Sequence, residues 1–115
     1  MTDRLFGIHG HALELRSQRM GMLTSNIANA ATPGFKARDI DFRAALNARM
    51  AGRDPGLAVD DATRFRVPVM PSMDGNTVEM ATEQTAFAEN ALAYSATLNF
   101  IRGRVETLTR AIKGE

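Results

Sequence analysis

The sequence has no cysteine, no tryptophan, a single tyrosine and only two histidines. Without thiols there is no disulfide, no thiol nucleophile and no cysteine-based zinc site, and the compartment stays open, because a chain lacking Cys survives in reducing and oxidising surroundings alike. Charge of one sign is not in surplus either: 14 Lys and Arg against 13 Asp and Glu leave +1. A nucleic-acid binder normally gathers a basic excess on one face to neutralise phosphates, so nucleic acid is not expected as a partner. Long hydrophobic runs are also missing. The two uncharged stretches, residues 20–35 and 90–101, are diluted with Asn, Ser, Thr and Ala and fall short of the ~20 mostly apolar residues that span a bilayer. Residues 1–10 hold no apolar core followed by a small-residue cleavage site, so no cleaved leader is expected.

What is present reads as one small domain in three parts. Residues 1–51 carry 7 basic and 4 acidic residues, residues 52–76 carry 3 and 4, and residues 77–115 carry 4 and 5. The middle part holds Pro55, Pro68 and Pro71 with Gly52, Gly56 and Gly75, which predicts turns and irregular structure with one short strand over residues 65–69.

The C-terminal part has the clearest periodicity. Met80, Phe87, Tyr94, Ile101 and Leu108 recur every seven residues, each followed four residues later by Gln84, Ala91, Leu98, Val105 and Ile112. That spacing makes one apolar stripe on a long helix, and a repeat of 3.5 residues per turn predicts packing along its length against another helix. Asn76 with Glu79 resembles a capping box, and Gly114 suits the stop. Glu79, Glu83 and Glu89 lie early while Arg102, Arg104, Arg110 and Lys113 lie late, the order the helix dipole favours. Gly103, mid-helix, marks either a close approach of another helix or a weak point.

A second helix is expected over residues 8–30, with Leu13, Met20, Leu23, Ile27 and Ala30 on one face and Ile8, Ala12, Leu15 and Met22 on the next. So broad an apolar arc needs more than one neighbour. Within the chain only the C-terminal helix is long enough, which leaves other copies to cover the remainder. Thr32 before Pro33 is disfavoured in the helical region, and Pro33-Gly34 fits the centre of a type II turn. The predicted fold is therefore mainly α: long N- and C-terminal helices packed as a coiled-coil-like pair, with an irregular, loop-rich middle.

Nothing in the sequence assembles a catalytic site. His9 and His11 point about 200° apart on a helix and have no third ligand nearby, so exposed or partner-facing imidazoles are favoured over a metal site. Asp60-Asp61 reads as solvated loop charge, and Asp39 and Asp41 with Arg38 and Arg43 as an ion-paired extended segment. Gly7-Ile8-His9-Gly10 is too short for a phosphate-binding loop, and Ser17, Ser25, Ser72 and Ser95 have no recognisable nucleophile context. No cofactor, metal or small-molecule substrate is expected. The methionines suit gap-filling between helices. Asn26 and Asn29 allow two readings, local capping or buried amides that fix the register between neighbouring subunits.

Two separated motifs carry a resemblance. Residues 23–42, with Asn26-Ile27-Ala28-Asn29 and Thr32-Pro33-Gly34-Phe35, resemble the N-terminal signature of bacterial flagellar rod and hook proteins, and residues 36–42 are similar to one rod member in particular. Residues 74–79 and 89–94, with the helix that follows, match in the right order. The resemblance implies a structural subunit of the proximal rod, exported by the flagellar type III apparatus without a cleaved leader and assembled in the periplasm through its terminal helices. It implies as partners copies of the chain, other rod proteins, and the ring and export apparatus at the rod base. The expected assembly surface comprises Asn26, Asn29, Pro33, Gly34, Phe35 and Phe42 together with Phe87, Tyr94, Leu98, Ile101, Val105 and Leu108. A sister rod protein is the first alternative, disfavoured by residues 38–42. A membrane-surface amphipathic helix is the second, disfavoured because the first half of the C-terminal helix is acidic.

Overall fold

The computed structural model describes residues 6–114; the start of the chain, residues 1–5, over which part of the leader reading runs, lies outside the described residues. The elements in chain order are α1 (Ile8–Ala28), β1 (Arg38–Ile40), α2 (Phe42–Met50), α3 (Pro55–Ala62), β2 (Thr63–Phe65) and α4 (Met80–Lys113). α1 and α4 pack antiparallel, as the pairing of Asn26 with Glu83 at one end and of His9 with Phe100 at the other shows. The molecule measures 64 × 26 × 18 Å, a length set by the 34 residues of α4. The expected pair of long helices is thus present.

The middle of the chain is more ordered than its Pro and Gly content predicts. Asp41 caps α2 by accepting a hydrogen bond from the Ala44 N–H at 3.2 Å. α2 closes at Gly52, whose φ of +86° lets its N–H reach the Arg49 carbonyl while the Arg53 N–H reaches that of Ala48. This is a Schellman stop. Asp54 at once caps α3, accepting from Gly56 N–H at 2.9 Å, and Pro55 occupies the first helical position, where its missing N–H costs nothing. The Asp-Pro-Gly sequence read as a turn is a helix start, and Asp60-Asp61 lies on a helix rather than a loop. The strand expected at residues 65–69 begins two residues earlier and ends at Phe65, because Pro68 cannot donate to a ladder.

β1 and β2 form an antiparallel pair with Arg38 opposite Phe65, Asp39 opposite Arg64 and Ile40 opposite Thr63. The extended run expected through residue 43 stops at Asp41, whose side chain is spent on the α2 cap. A small core joins these elements to α1: Leu15, Ile40, Ala45 and Ala62 are buried, with Met22, Phe42, Leu46 and Val59 packed around them. The broad apolar arc of α1 therefore meets a second neighbour inside the chain, α2, which the sequence reading had left to other copies. The Arg16 guanidinium lies 4.1 Å above the Phe42 ring, a cation–π contact that fixes the entry to α2.

Two local expectations about α4 and α1 differ from the structure. Asn76 is not the cap of α4, which starts at Met80 after Glu79 with no side-chain cap. His11 is buried and His9 stacks on Phe100 with ring centroids 4.5 Å apart, so neither imidazole is a free surface group. Gly114, at φ +77°, ends α4 as expected.

Candidate functional site

The two motifs of the sequence, far apart in the chain, are interlocked in space. The Phe35 N–H bonds the Thr32 carbonyl at 3.2 Å across Pro33 and Gly34, and Gly34 has φ +74°, so the type II turn is present. Against it lies a second turn at residues 72–75. The Gly34 N–H donates to the Asp74 carbonyl at 2.9 Å, Lys36 Nζ to the Gly75 carbonyl at 2.6 Å, the Thr77 N–H to the Phe35 carbonyl at 2.9 Å, and the Ala37 N–H to Thr77 Oγ1 at 2.8 Å. Asn76 supplies the lock. Its buried amide nitrogen donates to the carbonyls of Asn29, Ala30 and Thr32 at 2.8–3.0 Å, gathering the backbone that follows α1 around one side chain. Its Oδ1 receives the Val78 N–H at 2.7 Å. The Asp74 carboxylate is held below its ordinary pKa by hydrogen bonds from Ser72 and from the Asn76 N–H, so it stays ionised as the hinge of this second turn.

One turn deeper, a polar cluster ties four segments together. Glu83 of α4, fully buried, accepts Arg66 Nε at 2.7 Å and Asn26 Nδ2 at 2.9 Å. Asn26 closes the circuit with β1, giving a bond to the Arg38 carbonyl at 2.7 Å and receiving the Arg38 N–H at 3.1 Å. Asp39 receives the Arg19 fork through both oxygens at 2.7 and 2.8 Å, and Arg66 at 3.0 Å. Burial pushes the Asp39 carboxyl up, but the bonds and charge of Arg19, the Ile40 N–H and the charge of Arg66 outweigh it, so its pKa lies below the usual value. The Arg19 guanidinium is raised, chiefly by its bond to Asp39. Burial acts to lower the Arg66 guanidinium, yet its bond to Glu83 and the nearby carboxylates raise it on balance. Each charge is paired, as burial requires. Arg19, Arg66 and the burial of Glu83 were not legible as a site. The one trace in the sequence was Glu83, three residues after the first member of the α4 stripe, while Arg19 sits among Glu14, Arg16 and Gln18 and Arg66 lies outside any helix.

The expected assembly residues fall into three groups. Asn26 is buried and Asn29 half-buried; Asn29 bonds the Ser25 carbonyl and receives the Thr32 hydroxyl, so its amide acts locally. Pro33 and Gly34 are exposed on the turn, while Phe35 and Phe42 are half-buried, Phe42 against the core of the same chain. Along α4, Phe87, Tyr94, Leu98 and Ile101 are half-buried beside α1, but the centre of that contact is Glu83, Ala86 and Asn90. Asn90 donates to the Arg16 carbonyl at 2.9 Å across the helix pair. Beyond Ile101, α4 passes the start of α1, and Val105, Leu108 and Ile112 stand exposed. Among the described residues, no other element comes within 4 Å of where a Cβ at Gly103 would stand.

These interactions tie the segments of the chain to one another, and no group of metal-ligating side chains is assembled among the described residues. Nor is any described helix long and apolar enough to cross a membrane. A family model described as flagella basal body rod protein matches residues 6–36, which includes α1 and the Pro33-Gly34 turn. Curated proteins match nearly end to end. A flagellar basal body rod protein FlgB of Cereibacter sphaeroides is 50% identical over 95% of this chain and 94% of its own length. The protein of that name from Aeromonas hydrophila is 44% identical over 98% and 96%, and that of Escherichia coli 40% identical over 96% and 94%.

Proposed function

The chain belongs to the FlgB family of flagellar basal body rod proteins, and on that premise we propose how its geometry serves the rod. It is a structural component of the proximal rod, and its relatives are structural proteins, not enzymes. The observation that carries the reading is the clasp between the turns at residues 32–35 and 72–75. That clasp uses the residues of both motifs to fix where α1 ends and α4 begins. A subunit built this way presents a rigid helix pair with an unpaired α4 end, the form needed for repeated side-by-side and end-on contacts.

In this reading the chain contacts copies of itself and other rod proteins through Pro33, Gly34, Phe35 and the stripe from Phe87 to Leu108, and meets the ring and export apparatus at the rod base. It works in the periplasm as part of the rod. Asn26, Asn29 and Phe42 contribute by holding the subunit's shape from within. The test is to image basal bodies from a strain lacking this chain and from the same strain with the chain restored. Rods absent in the first and present in the second are expected; intact rods in the first would overturn the reading.

A further inference from the structure

Asp74-Gly75 is the one place in the sequence where an aspartate or an asparagine precedes a glycine. Such a pair is prone to rearrange, because glycine has no side chain to shield its backbone nitrogen or restrict its backbone. The glycine nitrogen attacks the aspartyl Cγ: the N–Cγ bond forms, the Cγ–OH bond breaks, and the hydroxyl leaves with the nitrogen's proton as water. The cyclic imide then takes up water. Opening at the Cγ–N bond restores aspartate. Opening between the nitrogen and the original main-chain carbonyl carbon gives isoaspartate, with the main chain running through Cβ and Cγ and a free carboxylate on Cα. One water leaves, one returns, and nothing is oxidised or reduced.

In the folded chain the groups this reaction needs are engaged in the clasp. The Gly75 N–H, which carries the attacking nitrogen, donates to the Ser72 carbonyl at 3.2 Å. The Asp74 carboxylate receives the Ser72 hydroxyl, and the Asn76 N–H at 3.0 Å. Both bonds favour its ionised form, which has no hydroxyl to lose. The Asp74 carbonyl accepts the Gly34 N–H at 2.9 Å and the Gly75 carbonyl accepts Lys36 Nζ at 2.6 Å, so the peptide groups on both sides of the attacked bond are held. Gly75 itself has φ +76°, and a Cβ there would stand 3.7 Å from the Gly34 Cα. The turn needs glycine at this position, and the reactive pair comes with it. Asp74 is exposed, so water reaches it freely.

We propose that Asp74 is an isomerisation site guarded by the clasp: it converts to isoaspartate when the turns at residues 32–35 and 72–75 are apart, and is protected when they are joined. Conversion lengthens the backbone by one carbon and turns the carbonyl that accepted the Gly34 N–H into a carboxylate. A converted chain therefore cannot close the clasp in its original form.

The test warms the full-length chain at mildly acidic pH, in native buffer and in urea. Isoaspartate is counted by transfer of a labelled methyl group from S-adenosylmethionine to its carboxylate by an isoaspartyl methyltransferase, and is located by peptide mapping. Label is expected in the peptide that contains Asp74, appearing about tenfold faster in urea, the factor that the hydrogen bonds broken before attack put into the rate. Ser72→Ala removes one bond to the carboxylate on an exposed residue. It should raise the rate in native buffer while matching the parent in urea and in circular dichroism. Equal rates for the parent in the two solvents, or label mainly in another peptide, would overturn the assignment. An unchanged native rate in Ser72→Ala would overturn the guarding role of the carboxylate's bonds. The converted chain, returned to native buffer, should melt below the unconverted one, and equal melting would show that the clasp closes regardless.

Discussion

Glu83 and Asn26 lie 57 residues apart in sequence and meet at 2.9 Å, a carboxylate on α4 accepting an amide from α1. The bond sits between two helices that the sequence shows as apolar stripes, and it fixes their register at a point where hydrophobic packing alone permits sliding.

Replacing Glu83→Ala leaves Asn26 and Arg66 without their shared acceptor. Arg66 keeps part of its solvent, so the cost falls short of that of a wholly buried orphan charge, about 2–4 kcal/mol. Glu89→Ala, on an exposed position of the same helix, is expected to cost under about 0.5 kcal/mol. Urea unfolding midpoints of the two variants check this, and equal midpoints would show that the Glu83 cluster holds nothing together.

Acid should loosen the fold through Asp39. Its native pKa is depressed below the ordinary 3.8, so the unfolded chain takes up a proton more readily than the native one. The stability it contributes is present above the unfolded value and is lost as pH falls through the native value. Asp39→Asn should therefore destabilise the protein at neutral pH and flatten the loss of stability between about pH 5 and pH 3. Thermal melts across that range provide the measurement; an unchanged slope would assign the acid sensitivity to other carboxylates.

The long helices were legible because their periodicity is carried by many residues at once, so a stripe such as Met80 to Leu108 survives a misplaced member. α2 and α3 were not, because each is set by one capping aspartate, Asp41 or Asp54, beside residues that also suit turns. Pro55 reads as a breaker until the cap before it is seen. The turn at Pro33-Gly34 could be placed from two residues, since one fixes φ and the other supplies a positive φ. Asn76 was assigned to the wrong helix end: its short-range spacing to Glu79 matched a capping pattern, whereas its partners are carbonyls more than 40 residues away. Long-range polar pairings such as Arg66 with Glu83 leave no periodic trace, and this is why the interior cluster escaped the sequence.

Asn76→Ala removes the lock of the clasp. Three carbonyls at the end of α1 lose a donor and the Val78 N–H loses an acceptor. A destabilisation of about 1–3 kcal/mol is expected, since the groups left behind are partly shielded from water. Asn29→Ala, whose amide bonds only its own helix end, should cost less than half as much. Calorimetric melting ranks the pair, and the reverse order would place the lock elsewhere.

Gly34→Val tests the turn. At φ +74° a β-branched side chain is strained by roughly 1–2 kcal/mol, even though among the described residues beyond its chain neighbours nothing lies within 4 Å of its Cβ. The strain acts on a backbone whose N–H is committed to Asp74 across the clasp. Reduced swimming with normal export of the variant is expected, and normal swimming would remove the turn from assembly.

The stripe on α4 separates folding from assembly, because its members sit in two environments. Ile101 is half-buried against the start of α1, so Ile101→Lys should cost about 1.5–3 kcal/mol of burial in the free subunit and also block assembly. Leu108 lies beyond α1 and is exposed, so Leu108→Lys should leave the melting of the free subunit within about 0.5 kcal/mol of the parent. If assembly runs through this end, the same change places a charge in an apolar contact repeated in every subunit, and rods should fail to form. Asp61→Lys is the counterpart in α3. It breaks an exposed ion pair with Arg53, worth about 0–1 kcal/mol, and should build rods normally. Melting curves, secretion levels and basal-body counts on the three variants complete the comparison. Normal rods from Leu108→Lys with none from Asp61→Lys would move the assembly surface from the end of α4 to the middle of the chain.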